Sequence, residues 1–544
     1  MKHICYLITM VFLLQFLSMA QKISHANAPL MGWASWNQFG VHIDEDVIKR
    51  QADSMASSGL ADVGFQYINI DDGFFNGRDD KGNLRIDTVK FPHGMKYLVD
   101  YIHSKGLKAG FYSEAGENTC GSQYSGQPGG VGGGMYNHDQ QDANLFFKEW
   151  GFDFLKVDYC GGLKNKLDEK TRYNEINAAI NTTGRSDVKF NVCRWQFPGT
   201  WVTSIADSWR MSQDINFVPG SIPKWKSITG IIDLNKYLAP YAKPGHYNDM
   251  DMLEVGRGLS FEEDKSHFSM WCILSSPLVL GNDLTKMNAQ TKEILTNKEV
   301  IAVNQDGSGF QAHLLSEKEG LQVWAKHLKG AQSKEIAVVL FNRTPSSATI
   351  SVKWKDLDII GKSTVRDLWS HQDLGVMDSG YSVFLPAHAV SMIKVIAEKV
   401  KSKQVFEAEY AWLNNFNLLD NTVLVPNQAK VKADTSCSGG AKAVNIGNRA
   451  DNFIEFQDVY ANEKGSYFLT LYYLSAEERT ATLSINGVVS QLTGLNSGSF
   501  SKIGSKRIPI QLRKGNNIIL ISNSTGWAPD IDRIEINLNK SDSK

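Results

Sequence analysis

From Leu30 to about Asp306, short apolar runs of strand character alternate with segments that carry apolar residues at helical spacing. Phe65–Ile70 and Leu107–Tyr112 read as buried strands, the second following a helical segment that contains His93–Ser104. Phe152–Val157 follows the helical stretch Gln140–Trp150, and Val188–Cys193, Ala206–Met211 and Pro277–Leu280 continue the series. This repeated strand-then-helix order predicts a (β/α)8 TIM barrel over residues 28–306. A doubly wound open sheet has the same rhythm, but no G-x-G-x-x-G turn follows the first strand. Beyond Phe310 the texture changes. Leu321–Ala325 and Ile336–Phe341 are short alternating runs, and they predict an antiparallel β-sandwich domain over 307–397. The charged segment 398–403 reads as a linker. Residues 404–539 are strand-rich again, with Tyr467–Tyr472 and Asn517–Ile521 as strands, and predict a C-terminal β-sandwich of jelly-roll type. The polar end, Lys540–Lys544, reads as a frayed tail.

Charge and composition narrow the function classes. With 57 basic and 58 acidic residues the net charge is −1, which gives no support for nucleic-acid or polyanion binding. Residues 1–20 read as a signal peptide: Lys2 and His3 open it, Ile4–Leu17 is almost wholly apolar, and Ser18, Met19 and Ala20 offer small residues before a cut. The apolar run is short for a membrane span. The mature protein is therefore expected to be exported, periplasmic or secreted, with no membrane attachment beyond the signal. Six cysteines do not make a disulfide scaffold, and no Cys/His cluster has metal-ligand spacing. Aromatic residues make up 10%, including 13 Trp, whose faces suit sugar rings as well as cores.

The chemistry concentrates at the ends of the predicted strands, where a barrel places its active site. Trp36-Asn37 closes the first, Asp71-Asp72 the second and Tyr112-Ser113-Glu114 the third. Lys156 and Asp158 close the fourth, Cys193-Arg194-Trp195 the fifth, and Arg210 with Asp214 the sixth. Lys156 and Asp158 are two residues apart in an apolar strand, so they share a face where unpaired charge is costly. Asp158 and Asp214 lie about two β/α units apart and can converge across a pocket. Two carboxylates flanking a glycosidic bond are the minimum for its hydrolysis. Arg210 and Asp214, at i and i+4, share a face if the strand continues through both.

Met31-Gly-Trp-Ala-Ser-Trp-Asn37, Asn69-Ile-Asp-Asp72, Lys156-Val-Asp158 and Trp209-Arg-Met-Ser-Gln-Asp214 together resemble glycoside hydrolase family 27, the α-galactosidase family. Asn248–Gly256, His267–Trp271 and Val303-Asn-Gln-Asp306 extend the match. The resemblance implies a retaining hydrolase of terminal α-galactosides that needs no cofactor. Asp158 matches the nucleophile and Asp214 the general acid/base. Asp71 and Asp72 match the pair that grips O4 and O6, Lys156 a contact to O3 and O4, and Trp36 the platform under the ring. Cys193, Trp195 and Arg210 match positions near O2, and Cys120 and Cys160 match a family disulfide. Tyr112 and Asp251 are further candidates for the substrate wall. On these roles Asp158 is expected to be ionised beside Lys156, and Asp214 to be raised in pKa by burial and by Asp158.

Two departures bear on the reading. Gly73-Phe74 stands where the family usually has Cys-Trp, so a second family disulfide is not expected. Arg194 stands where most members carry Glu, and it opens the aglycone side to a further sugar or an acidic branch. The intact Asp71-Asp72 pair favours galactose over a β-L-arabinopyranoside, and Arg194 and Phe197 disfavour an α-N-acetylgalactosaminide. The presence of both carboxylates argues against a non-catalytic sugar-binding protein on a hydrolase scaffold. Finally, Phe406–Tyr410, Ser436–Gly440 and Gly526–Ile534 resemble a carbohydrate-binding module of the family 6/35 type. That resemblance implies a structural Ca²⁺ held by Glu407, Glu409 and Asp532, and Trp527 as a sugar platform.

Overall fold

The computed structural model describes residues 27–418 and 428–538. The expected signal peptide (1–20) and the polar tail lie outside the described residues. Eight strands form one parallel sheet: β1 Met31–Ala34, β2 Tyr67–Ile70, β3 Lys108–Glu114, β4 Phe154–Asp158, β5 Lys189–Cys193, β6 Ser208–Arg210, β7 Tyr247–Asp249 and β8 Leu278–Leu280. Their order is β8-β1-β2-β3-β4-β5-β6-β7. The ring closes where Leu253, just past β7, bridges Leu280 in parallel, its N–H donating to the Val279 carbonyl at 2.7 Å. Six of these strands fall on the apolar runs named above, and β1 lies in the segment that Trp36-Asn37 closes. β7 falls on no such run, because Tyr247-Asn248-Asp249 has no apolar pattern; it is a strand because β6 pairs with it from Ser208 to Arg210.

Helices of the expected kind cover the barrel. Glu45–Ser57 (α1) is capped by Asp44, whose carboxylate accepts the Val47 N–H, and Gly94–Ser104 (α2) precedes β3. The segment expected as one helix over 140–150 is a short α-helix, Asp139–Asn144 (α3), running into a π-helical turn, Leu145–Trp150. Glu169–Thr182 (α4) is capped by Asp168, which places Glu169 in its first turn beside the strand ends. Phe261–Ile273 (α5) opens with a reciprocal Ser260–Glu263 capping box and is buried on most sides, between the barrel and the next domain.

Residues 313–400 form a six-stranded and a two-stranded antiparallel sheet around their own apolar core. The last strand of this unit runs Val390–Val400, and Val400 pairs with Ile359. Glu398–Val400, expected as linker, is therefore strand: Glu398 and Lys399 stand exposed between the more buried Ala397 and Val400. The irregular connection is only Lys401–Gln404. Beyond it, a six-stranded and a five-stranded antiparallel sheet face one another. Their core is continuous with that of the barrel.

Inside the barrel, Gly110 on β3 leaves the room that its neighbours occupy. A Cβ there would lie 2.0 Å from Asn69 Oδ1 and 2.8 Å from the Phe154 ring. Gly110→Ala is expected to destabilise the protein by about 1–3 kcal/mol through overpacking. A thermal melt matching that of the unaltered protein would show that this layer has slack.

Candidate active site

The C-terminal strand ends surround a cavity of about 640 Å³. Lys156 on β4 lines it, between two acids. The Lys156 Nζ lies 3.0 Å from Asp71 Oδ2 and 3.7 Å from Asp158 Oδ1. Burial works against the ammonium, but Asp158 and Asp71 outweigh it and hold its pKa well above the ordinary lysine value. The same ammonium sits 5.6 Å from the centre of the Tyr112 ring. Tyr112 is itself buried, and its hydroxyl accepts the Cys120 N–H at 3.0 Å.

Asp158 is the more buried of the two candidate carboxylates, its side chain 8% exposed against 28% for Asp214. Burial pushes Asp158 up to about 7, Lys156 pulls it down, and Asp71 and Asp214 add repulsion. Asp158 Oδ1 is buried without a hydrogen-bond partner, and the residue borders the cavity. The burial expected at Asp214 is thus found at Asp158. β6 ends at Arg210, so Asp214 stands on the following loop rather than on a continued strand. The loop still folds it back: Arg210 Nη2 donates to Asp214 Oδ1 at 2.9 Å. The other edge of the guanidinium lies 3.0 Å from Asp251 Oδ1. Asp251 adopts φ 72°, a left-handed conformation that Asp tolerates, and its Oδ2 accepts the Ile215 N–H at 2.7 Å. Burial pushes Asp251 up to about 6, against Arg210.

The remaining candidates fall around this centre. Asp72 accepts the Gly121 N–H and the Gly73 N–H, each at 2.7 Å, and burial pushes it up to about 6. Trp36, on a short helix after β1, and Trp195, after β5, both border the cavity. Cys193 is a free, buried thiol behind the wall, near Arg210. Cys120 and Cys160 are joined, with Cα atoms 5.4 Å apart, and both border the cavity. Glu114 holds the turn beneath that disulfide, accepting N–H bonds from Gly116 and Cys160 at 3.0 Å and from Gly162 at 3.2 Å.

Arg194 departs from the outward direction expected of it. Its Nε donates to Glu169 Oε1 at 2.5 Å, its guanidinium lies 5.7 Å from the Tyr159 ring centre, and only 5% of the residue is exposed. The acid on α4 supplies the counter-charge and turns the group inward, although Arg194 still borders the cavity.

Several residues in and around the pocket received no individual role from the sequence. Asn191 on β5 donates to Asp249 on β7 at 2.9 Å, and both line the floor. Asn37 donates to Glu254 at 2.5 Å, and Arg257 pairs with Glu254 and bonds the Asn37 carbonyl at 2.6 Å, bracing the segment that carries Trp36. Phe217 and Val218 stand exposed on the rim. The alternation of β5 gave a signal for Asn191, two residues before Cys193; the others are joined by contacts between distant segments.

Comparison with known proteins places this arrangement. A family model described as alpha galactosidase A matches residues 28–306, and one for the alpha galactosidase C-terminal beta sandwich domain matches residues 318–395. Alpha-galactosidase 2 of Arabidopsis thaliana is 42% identical over 380 residues, covering 69% of this chain and 91% of its own length. The structure of alpha-galactosidase I from Mortierella vinacea is 34% identical, with a TM-score of 0.61 over 70% of this chain and 100% of that one. A probable alpha-galactosidase D of Neosartorya fischeri is 28% identical over 570 residues and spans 94% of this chain, the C-terminal sandwich included. The chain belongs to the α-galactosidase family and is a glycoside hydrolase.

Proposed function

We propose that this glycoside hydrolase is an exported, retaining, exo-acting α-galactosidase with Asp158 as nucleophile and Asp214 as general acid/base. The observation that carries the reading is that these two carboxylates border one cavity together with Lys156, Asp71 and Asp72. Those three offer a cation and two acids to the hydroxyls of a terminal sugar. The relatives named as α-galactosidases, which match the barrel and second domain, support galactose. The intact Asp71-Asp72 pair suits a sugar with a hydroxymethyl group. Arg194 borders the cavity where an acetamido group would need a small residue, whereas Phe197, expected to help there, is turned into the core against Tyr241 and Phe416.

A galactosyl ring enters with its non-reducing end inward. Lys156 donates to its hydroxyls, the free lone pairs of Asp71 and Asp72 accept from them, and Trp36 offers an apolar face. Asp158 attacks the anomeric carbon. As the bond to the aglycone oxygen breaks, Asp214 gives that oxygen its proton. Water then opens the glycosyl ester at the anomeric carbon, and Asp214 takes the proton back. Arg210 orients Asp214 and is itself held from its other edge by Asp251. The scheme calls for no cofactor.

We also propose that the C-terminal sandwich is a carbohydrate-binding module resembling families 6/35, with a structural Ca²⁺ near Glu407, Glu409 and Asp532. All three carboxylates are buried or half-buried. Neither Glu409 oxygen nor Glu407 Oε2 has a hydrogen-bond partner. Burial and the neighbouring acids push Glu409 up to about 9. Unpaired buried oxygens suit a hard cation. The three do not each bring an oxygen within 4.8 Å of the others, so an ion has to draw them closer.

Three measurements test these readings. On a panel of nitrophenyl glycosides the α-galactoside is expected to turn over fastest, and Asp158→Ala and Asp214→Ala each to lose at least ~100-fold in rate. No turnover of any member, preference for the arabinopyranoside, or near-normal rates in either variant would overturn the assignment. The pH profile provides the second. Asp158 must be ionised to attack and its pKa is raised, so kcat/KM is lost as pH falls through that value. The acid limb is expected to lie above about pH 5 rather than at the ordinary aspartate value. A profile flat down to pH 4 would refute burial as the controlling influence. In the third, EDTA is expected to lower the melting temperature and added Ca²⁺ to restore it, with Glu409→Gln abolishing the difference. A melt indifferent to both excludes the ion.

A further inference from the structure

Trp195 has φ 61°, in the left-handed region that a bulky side chain rarely occupies. It borders the cavity directly after β5. Such a backbone persists only where its surroundings over-determine it. One support comes from the barrel: Gln213, the neighbour of Asp214, donates from Nε2 to the Trp195 carbonyl at 3.1 Å.

The other support comes from the C-terminal sandwich. Leu418 N–H donates to the Phe197 carbonyl at 2.9 Å, and Thr200 N–H donates to the Phe416 carbonyl at 3.2 Å. Asn415 N–H donates to Thr200 Oγ1 at 3.3 Å. Aromatic packing reinforces these bonds. The Phe416 ring lies 5.8 Å from Phe197 and 5.7 Å from Tyr241, which are themselves 4.8 Å apart. The Tyr241 hydroxyl also accepts the Leu413 N–H at 3.3 Å. Phe197, Tyr241 and Phe416 are all buried, and the barrel core runs on into the sandwich. A tethered appendage has no need of such a joint. The matched family regions end at residue 395, so this support comes from a part of the chain beyond them.

We infer that the C-terminal sandwich is a working part of the pocket: its segment Trp412–Leu418 positions the Arg194–Thr200 loop and, through Trp195 and Gln213, the wall that carries Asp214. Phe416 is a positioning residue in this scheme and touches no substrate. The inference uses the proposed galactosidase activity for its kinetic readout only.

The test is made in the full-length chain with Phe416→Ala, Phe416→Leu and Thr200→Val, the last of which removes one joint bond without opening the core. Leu469→Ala, in the sandwich interior, is the control. Hydrogen exchange is followed over residues 194–204, and KM and kcat are measured with nitrophenyl α-galactoside. Phe416→Ala is expected to accelerate exchange in that loop and to lower kcat/KM by ~10-fold, as misplacement of a pocket wall does. Phe416→Leu should restore most of both, and Thr200→Val should shift both in the same direction by less. Leu469→Ala should lower the melting temperature and leave both readouts unchanged at temperatures where it is folded. Protection and kcat/KM both within twofold of the unaltered protein in Phe416→Ala overturn the inference. So does faster exchange with unchanged kinetics. Exchange does not depend on turnover, so an unaltered protein inactive on galactosides would refute the proposed function, and exchange with galactose-binding calorimetry would still judge the joint.

Discussion

A lysine ammonium cannot line a largely buried cavity without counter-charge, and Lys156 has two partners, Asp71 at 3.0 Å and Asp158 at 3.7 Å. This triad links β4 to the end of β2 and sets the electrostatics of the whole cavity. It permits Asp158 to be almost fully enclosed and still capable of ionising near neutrality, because the desolvation that raises its pKa is opposed by a cation two residues away. A sugar entering such a site meets donors and acceptors already oriented by one another, so little reorganisation is left for the reaction itself.

The two candidate carboxylates are separated by environment as well as by position. Asp158 ends a buried strand, while Asp214 stands on a loop, more exposed and bonded to Arg210. Arg210 in turn is shared with Asp251, whose left-handed backbone aims its carboxylate at both the guanidinium and the Ile215 amide. The loop of Asp214 is therefore held by charge from below and by Gln213 from the side. Mobile support would be of little use to a proton donor that must meet a leaving oxygen at hydrogen-bond distance.

Charge placement also explains how the fold accommodates Arg194 at the cavity wall. A cation facing the pocket would attract or repel substrate groups; turned onto Glu169 it becomes half of a buried ion pair, and α4 supplies the other half at its first turn. The pocket wall here rests on a helix, the next wall along rests on the C-terminal sandwich, and the segment carrying Trp36 rests on Glu254 and Arg257.

Local pattern determined much of this protein. Short, near-continuous apolar runs marked six of the eight barrel strands, since a strand buried on both faces must present apolar side chains whatever it pairs with. The polar residues at their ends marked the site, because a barrel brings its strand ends to one face. Thus Trp36, Asp71, Asp72, Lys156, Asp158, Arg210 and Asp214 could be named from the chain alone. Tertiary structure decided the rest. Tyr247–Asp249 is a strand only because β6 offers it a partner. The partners Arg194–Glu169, Asn191–Asp249 and Asn37–Glu254 are separated by 25, 58 and 217 positions, and no local pattern encodes which distant group will neutralise a charge or satisfy an amide. Burial follows the same logic: whether Asp158 or Asp214 is the more enclosed depends on which loops close over each, and that is settled only when the chain has folded.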